Sequence, residues 1–444
     1  MTIADSKGRT RNYFLQITGA AFYKAVAMLA SFLAVPLMMR YLGEEQFGIW
    51  STLLAVLSWV VLFDLGIGNG LRNKVAELNA KGEMEDAAVY IGSAYTLLGL
   101  IAFFLWFIFT ITAYWIPWRV VFNTNSLTAE VLRETIFVVA FFLALNFWVG
   151  LVAALLGAIQ KTSLIALGQL VNNLIVLTAV FILSKFSEAS IIFLAYVYGV
   201  ALVSVNVFLN VYFFWKHPEL RPRLCLSKKQ INPLLGIGIK FFIIQLAVLV
   251  IFTTDKILIT QIFGPEYVAQ YEVVAKLFGV IIFLHNLISA PLWSAYTDAY
   301  HRNDVSWIKR MLRLQLIIFV GIIFITGILA VSSHFLVRNW ISGDFVISNN
   351  LVISMSIFVL ISIWNNIYAM FLNGVGEIKI QLYTAIVAMF INIPISIFLA
   401  KSTELGVAAI VVGTICSLFI GALILPIQVF HTLNLFKSKV IECQ

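Results

Sequence analysis

The sequence predicts an all-α polytopic membrane protein of about twelve transmembrane helices, in two six-helix bundles related as parallel repeats around a central cleft. Three observations point there. Of 444 residues, 61% are hydrophobic and only 11% charged, with mean hydropathy +0.99, which inverts the balance of a water-soluble domain. The apolar runs are long and continuous, unlike the short alternating segments of a barrel, and hydrocarbon tolerates only helices or closed barrels because unpaired backbone groups are too costly there. Lys and Arg, finally, concentrate in alternate loops.

A span needs about 20 apolar residues. The first six candidates run from Phe14 to Met39, Phe47 to Gly68, Ala87 to Trp115, Ile136 to Ala158, Leu164 to Ser184 and Ile191 to Trp215. The second six run from Leu234 to Phe263, Val268 to Tyr296, Leu314 to His334, Leu351 to Leu372, Ile380 to Ala400 and Val407 to Phe430. The polar segment Met1 to Arg11 and the long first span lack the pattern of a removable signal peptide, so that span is expected to stay as an anchor.

The net charge of +8 raises the question of a nucleic-acid partner, and its distribution answers no. With the N-terminus inside, nineteen of the 29 Lys and Arg fall in cytoplasmic segments, among them Lys7, Arg9, Arg11, Arg72, Lys74, Lys81, Lys309, Arg310 and Arg313. Only Arg40, Arg119, Arg133, Lys185, Arg338 and Lys401 fall opposite. This asymmetry places both termini in the cytoplasm for an even number of spans.

The most polar long loop, Lys216 to Asn232, lies near the midpoint, which gives an N-terminal bundle over 1–215, a cytoplasmic linker over 216–232 and a C-terminal bundle over 233–444. Two internal echoes support duplication. Tyr41-Leu42-Gly43-Glu44-Glu45-Gln46-Phe47-Gly48-Ile49-Trp50 resembles Ile262-Phe263-Gly264-Pro265-Glu266-Tyr267-Val268-Ala269-Gln270-Tyr271, an offset of 221. Leu155-Leu156-Gly157-Ala158-Ile159-Gln160-Lys161, where the fourth span ends, resembles Leu372-Asn373-Gly374-Val375-Gly376-Glu377-Ile378-Lys379, where the tenth ends, at an offset of 217. Six spans is an even number, so both halves enter the bilayer in one orientation.

An ionisable side chain deep in a span costs at least about 2.5–3.5 kcal/mol and is expected to face a cavity or a partner. Lys24 sits about 15 Å into the first span at 1.5 Å per residue, too deep for easy snorkelling. Lys240 lies nearer the start of the seventh span, within reach of the interface. Asp255 and Lys256 are adjacent and point about 100° apart, so they cannot simply neutralise each other. Glu272 and Lys276 have the i, i+4 spacing of a helical ion pair. Asp64 precedes Leu65-Gly66-Ile67-Gly68-Asn69-Gly70 at a span end, either as a titrating group or as an interface marker. Asp298, beside Arg302, is expected to be structural. Within the spans, Lys24, Lys240, Lys256 and Lys276 outnumber Asp64, Asp255 and Glu272, and a cationic cleft suits an anionic cargo.

Other chemistries find little support. Cys225, Cys416 and Cys443 are far apart and have no neighbours at metal-ligand spacing, so no disulfide framework or metal site is expected. The glycines of residues 66–70 do not form a P-loop, and no zinc-protease or nucleophile-elbow motif is present. A membrane polymerase or glycosyltransferase would need polar loops bearing catalytic groups; the longest outer loop, Pro117 to Thr135, offers Arg119, Glu130, Arg133 and Glu134. The 14% aromatic content is read as interfacial belts and helix packing.

The stretch from Phe32 to Trp50, followed by Asp64-Leu65-Gly66-Ile67-Gly68-Asn69-Gly70-Leu71-Arg72-Asn73, resembles the Wzx-type O-antigen flippases of the multidrug/oligosaccharidyl-lipid/polysaccharide exporter superfamily. The resemblance implies a bacterial inner-membrane protein, not an enzyme, that moves an undecaprenyl-diphosphate-linked oligosaccharide to the periplasmic leaflet by alternating access. A proton or sodium gradient would supply the energy, with no cofactor, and polysaccharide polymerase and chain-length proteins would be partners besides membrane lipid. On that reading Lys24 with Lys256 or Lys276 holds diphosphate or acidic sugar, and Asp64 or Asp255 exchanges the ion. A multidrug or metabolite antiporter of the same architecture is the alternative, for which an acidic cleft is expected.

Overall fold

The computed structural model describes residues 3–59, 67–223, 246, 249–251, 253–289, 291–341, 345–377 and 379–442, and these form helices and short connections. Ten helical segments among them are long and apolar enough to cross a membrane. The first, Thr18–Val56, is 39 residues long, more than one crossing requires. It belongs to α1 (Ile3–Ser58), which Gly43 breaks at φ 78°, ψ 171°, a conformation open to glycine and strained for other residues. The first expected span, and the second as far as Ser58, are therefore the two arms of α1; residues 60–66 lie outside the described residues. Half of the seventh lies outside the described residues, of which 253–262 form α9. The chain is thus a multi-pass all-α membrane protein. It divides into two compact units, Met1–Leu246 and Ala247–Gln444.

In the first unit follow α2 (Ile67–Lys81), α3 (Met84–Thr112), the short α4 (Trp118–Val121), α5 (Ala129–Val149), α6 (Val152–Ala158), α7 (Thr162–Phe186) and α8 (Ile191–Lys216). The helix α1 packs along α7, α5 along α8 and α3. The helix starts are capped locally: Thr128 Oγ1 accepts from Val131 N at 3.2 Å, which lets α5 begin seven residues before the expected span. The fourth expected span is broken near Gly150, and the freed carbonyl of Val149 is met by Asn210 Nδ2 at 2.7 Å. A side-chain donor thus satisfies a backbone group that lipid would leave unpaired.

The segment expected to be a glycine loop is the helix α2. Ile67, Leu71, Val75 and Leu78 recur at helical spacing and are buried, against Ile91, Leu98, Leu155 and Phe213 among others. Each such burial is worth about 1.5–3 kcal/mol. The opposite face carries Lys74 and Lys81, both paired with Glu77, at 2.9 and 2.6 Å. Lys81 first and Lys74 second hold the Glu77 carboxyl down to about 2.

The second unit contains α9, α10 (Pro265–Ser289), α11 (Leu292–His301), α12 (Val305–Trp340), α13 (Asn349–Val375), α14 (Lys379–Ser402) and α15 (Ala408–Glu442). The expected eighth span ran on to Tyr296; instead α10 stops at Ser289 and Pro291 opens the separate α11. Proline lacks the N–H that a continuing helix needs, and restricts the residue before it. Gly376, at φ 80°, closes α13 in the left-handed conformation that favours glycine.

The internal echoes mark equivalent structural devices in the two units. Gly43 and Gly264 both have positive φ, 78° and 117°, each between two successive helices. Gly157 and Gly374 each lie beneath a short amphipathic helix. A Cβ on Gly157 would meet Arg72 Nε of α2 at 2.9 Å, and one on Gly374 would meet Tyr296 Cβ and Trp293 O of α11 at 2.8 and 2.9 Å. Thr297 Oγ1 also donates to Gly374 O at 2.8 Å. Gly374→Val is expected to unseat α11 and cost about 1–3 kcal/mol, read as a lower midpoint of thermal unfolding in detergent.

Large side chains such as Phe103, Phe104, Phe324 and Val331 point outward, Val331 at 89% exposure. In water such a surface would aggregate; here lipid is its solvent.

Candidate functional site

Asp255, Lys256, Glu272 and Lys276, the intramembrane charges of the second unit singled out above, lie on α9 and α10, and Asp255 is met from α15. Asp255 and Lys256, consecutive on α9, diverge as the helix geometry requires. Asp255 is 3% exposed and turns toward α10 and α15. Its Oδ1 accepts from Thr414 Oγ1 at 2.9 Å and its Oδ2 from Tyr271 OH at 3.3 Å. Behind Thr414, Asn392 on α14 donates to Thr414 Oγ1 at 3.0 Å and to Ser417 Oγ at 3.2 Å, and Ser417 Oγ donates to Thr414 O at 2.8 Å. Asn392 and Ser417 are fully buried. Donation runs one way, from Asn392 through Thr414 to the carboxylate. Among the described residues no cation lies within ion-pair distance of Asp255. A buried ionised carboxylate is costly without one.

Lys256 faces α10 instead, and its Nζ lies 2.6 Å from Glu272 Oε2, both side chains 21% exposed. This corrects the expected pairing of Glu272 with Lys276. The turn at Gly264 folds α9 back along α10, so the partner across the turn reaches the carboxylate first. Lys276, one turn beyond Glu272 on α10, makes no ion pair with it. The cluster therefore holds two lysines and one glutamate.

In the first unit, Lys24 is exposed on α1. One turn along, Asn173 of α7 donates to Ala27 O at 2.8 Å, and Asn172 beside it has a buried Oδ1 that meets no donor among the described residues. Asp298, on α11, pairs with Arg302 at 2.9 Å where both are exposed, a surface contact worth little. Asp64 and Lys240 lie outside the described residues.

Sequence reasoning missed Tyr271, Asn392, Thr414 and Ser417. Signals existed: Asn392 and Pro394 interrupt an apolar run, and Thr414 and Ser417 share a helix face at i, i+3 spacing. The packing of this region is tight. A Cβ on Gly413 would stand 2.2 Å from Ser396 Oγ and 2.6 Å from its Cα, so Gly413→Ala is expected to separate α14 from α15 and cost about 3 kcal/mol. A fall in the unfolding midpoint, together with loss of transport, checks this.

The fold is similar to that of a solved multidrug resistance MATE family transporter of the MOP superfamily in its inward-facing conformation, with TM-score 0.77 and 13% identity over 94% of this chain and 99% of that one. The family is narrower. Over residues 17–296 the chain matches the family described as polysaccharide biosynthesis protein, and it belongs to that family. A protein of Yersinia pseudotuberculosis named for O-antigen export is 23% identical over 90% of this chain and 91% of its own length. One of Salmonella typhimurium named for O-antigen transport is 25% identical over 91% and 93%.

Proposed function

We propose that the chain is a flippase for an undecaprenyl-diphosphate-linked oligosaccharide, an O-antigen or similar surface-polysaccharide repeat unit. It works from the cytoplasmic to the periplasmic leaflet of the bacterial inner membrane, with both termini cytoplasmic, by ion-coupled alternating access. The observation that carries this reading is that Lys24, Lys256 and Lys276 outnumber Asp255 and Glu272 among the described intramembrane charges, with Glu272 already paired to Lys256. Such a surplus is costly in hydrocarbon unless an anion visits it. A diphosphate with attached sugars cannot cross lipid unaided, whereas its polyprenyl tail can remain there. The relatives named for O-antigen export and transport support the same cargo.

In this scheme Lys24, Lys256 and Lys276 hold the diphosphate or acidic sugar. Asp255 takes up and releases the coupling ion, a proton or sodium. Its cradle of Thr414 and Tyr271 hydroxyls suits a carboxylate that alternates between neutralised and free states. A ligand shifts a conformational equilibrium only by its differential affinity for the two states, and a buried carboxylate supplies a large difference. A cationic drug is a poor match for the lysine-rich cluster.

Lys24→Gln is expected to lower transport about tenfold with little change in folding, because the side chain is exposed on α1 and a single charge contact with a diphosphate is worth about 1.4 kcal/mol. The cargo itself is tested by deleting the chain in its host. Lipid-linked oligosaccharide retained on the cytoplasmic face with loss of surface polymer, both restored by the intact gene, supports the reading. Unchanged lipid-linked sugar with new drug sensitivity overturns it.

A further inference from the structure

On the outward face of the first unit, α3 and α5 leave a furrow lined almost wholly by rings and small side chains. It comprises two joined hollows of about 190 and 330 Å³ that share Trp106 and Phe141 as walls. These two rings meet edge to face at 6.1 Å. The floor is built rather than accidental. Trp148 is held by its Nε1 donating to Tyr95 O at 3.1 Å. It lies against Gly99, where a Cβ would come within 3.2 Å of that nitrogen.

From Gly99 to Thr110 the furrow follows α3 for about 16 Å at 1.5 Å per residue, roughly the depth of one leaflet of a core about 30 Å thick. Its mouth is marked by a cation. Arg133 at the start of α5 sits 4.9 Å above the Tyr114 ring. Tyr114 in turn packs at 5.7 Å on Phe137, which lines the furrow. Arg133 makes no ion pair among the described residues, although Glu130 and Glu134 share its helix.

We propose that this furrow seats the isoprenoid chain of the lipid-linked cargo in the periplasmic leaflet, with Arg133 meeting its phosphate. The proposal rests on the flippase reading above and adds to it a product-side seat for the tail. Charge complementarity selects a phosphate-bearing lipid. The ring-lined walls offer a hydrocarbon chain a large apolar area to bury against.

The test is native mass spectrometry of the full chain in detergent with undecaprenyl diphosphate, geranyl diphosphate and phosphatidylglycerol as separate probes. The protein is expected to retain undecaprenyl diphosphate about tenfold better than either other lipid, through apolar burial of the longer chain. Ala144→Phe, which fills the furrow, and Trp106→Ala, which removes a wall, reduce retention of undecaprenyl diphosphate about tenfold and weaken that of geranyl diphosphate, whose chain lies in the same furrow, in the same direction. Arg133→Gln weakens both diphosphates and keeps the test open if a furrow variant fails to fold. Undiminished retention by both furrow variants overturns the proposal while leaving the flippase reading intact, as does equal retention of phosphatidylglycerol. Failure of the unaltered protein to retain undecaprenyl diphosphate at all overturns the flippase reading itself.

Discussion

Asp255→Asn is expected to leave the protein folded and to remove the gradient dependence of transport. The amide is nearly isosteric, keeps an oxygen to accept from Thr414 or Tyr271, and carries no charge to bury. The change in stability should therefore stay within about 1 kcal/mol, the worth of one neutral hydrogen bond. Ion binding, however, needs the carboxylate. With Asn in place both states of the cycle bind the ion equally, and a ligand without differential affinity shifts nothing. In proteoliposomes the initial rate under an imposed proton or sodium gradient should fall about tenfold or more, to the rate without a gradient. Asp255→Ala is the contrasting case. It leaves the Thr414 and Tyr271 hydroxyls without their acceptor, at about 1–3 kcal/mol for each, and should lower stability and transport together. A gradient response surviving in Asp255→Asn would remove Asp255 from the coupling role.

The second large effect separates charge from stability in the lysine cluster. Glu272→Gln leaves Lys256 and Lys276 facing each other without a carboxylate, and breaking a buried pair costs about 3–5 kcal/mol. The lower end applies, because a fifth of each paired side chain remains exposed. Lys276→Gln instead preserves the 2.6 Å Lys256–Glu272 pair and removes the surplus charge. Its unfolding midpoint should stay close to that of the unaltered protein, while transport of the anionic cargo falls about tenfold, the equivalent of about 1.4 kcal/mol. Thermal unfolding and transport measured on the same preparations decide the matter. Loss of transport in step with loss of stability across both variants would reduce the cluster to a structural element.

Much of the membrane architecture was legible in the sequence, because a crossing helix needs an apolar run of fixed length and few other signals compete. The breaks within it were less so. The Ile67, Leu71, Val75 and Leu78 spacing of α2 was present, but the surrounding glycines favoured a loop, and burial against Ile91 and Leu155 outweighed their propensity cost. Apolar character continues from Ser289 to Tyr296, so only Pro291 could have divided α10 from α11.

At the candidate site, sequence singled out the charged residues because charge in a span is rare. It could not supply their partners. The i, i+4 rule proposed Lys276 for Glu272, whereas the turn at Gly264 delivers Lys256. One of the two hydroxyls that meet Asp255 comes from Thr414, 159 residues away, and no local pattern encodes such a contact. The echoes at Gly43 and Gly264 mark equal turns in the two units, but the repeat is chemically unequal. The position matching Glu272 at the offset of 221 is Ser51, so no carboxylate stands at the equivalent place in the first unit.

The most direct test of the central claim is sidedness in reconstituted vesicles. Purified lipid-linked oligosaccharide is incorporated in both leaflets with the protein, and the fraction open to an added membrane-impermeant glycosidase is followed under a proton or sodium gradient. The flippase account predicts that the protected inner-leaflet fraction becomes accessible only with the protein present, faster with the gradient, and about tenfold more slowly with Lys276→Gln. A protected fraction that stays constant while the same vesicles move a cationic dye would contradict it.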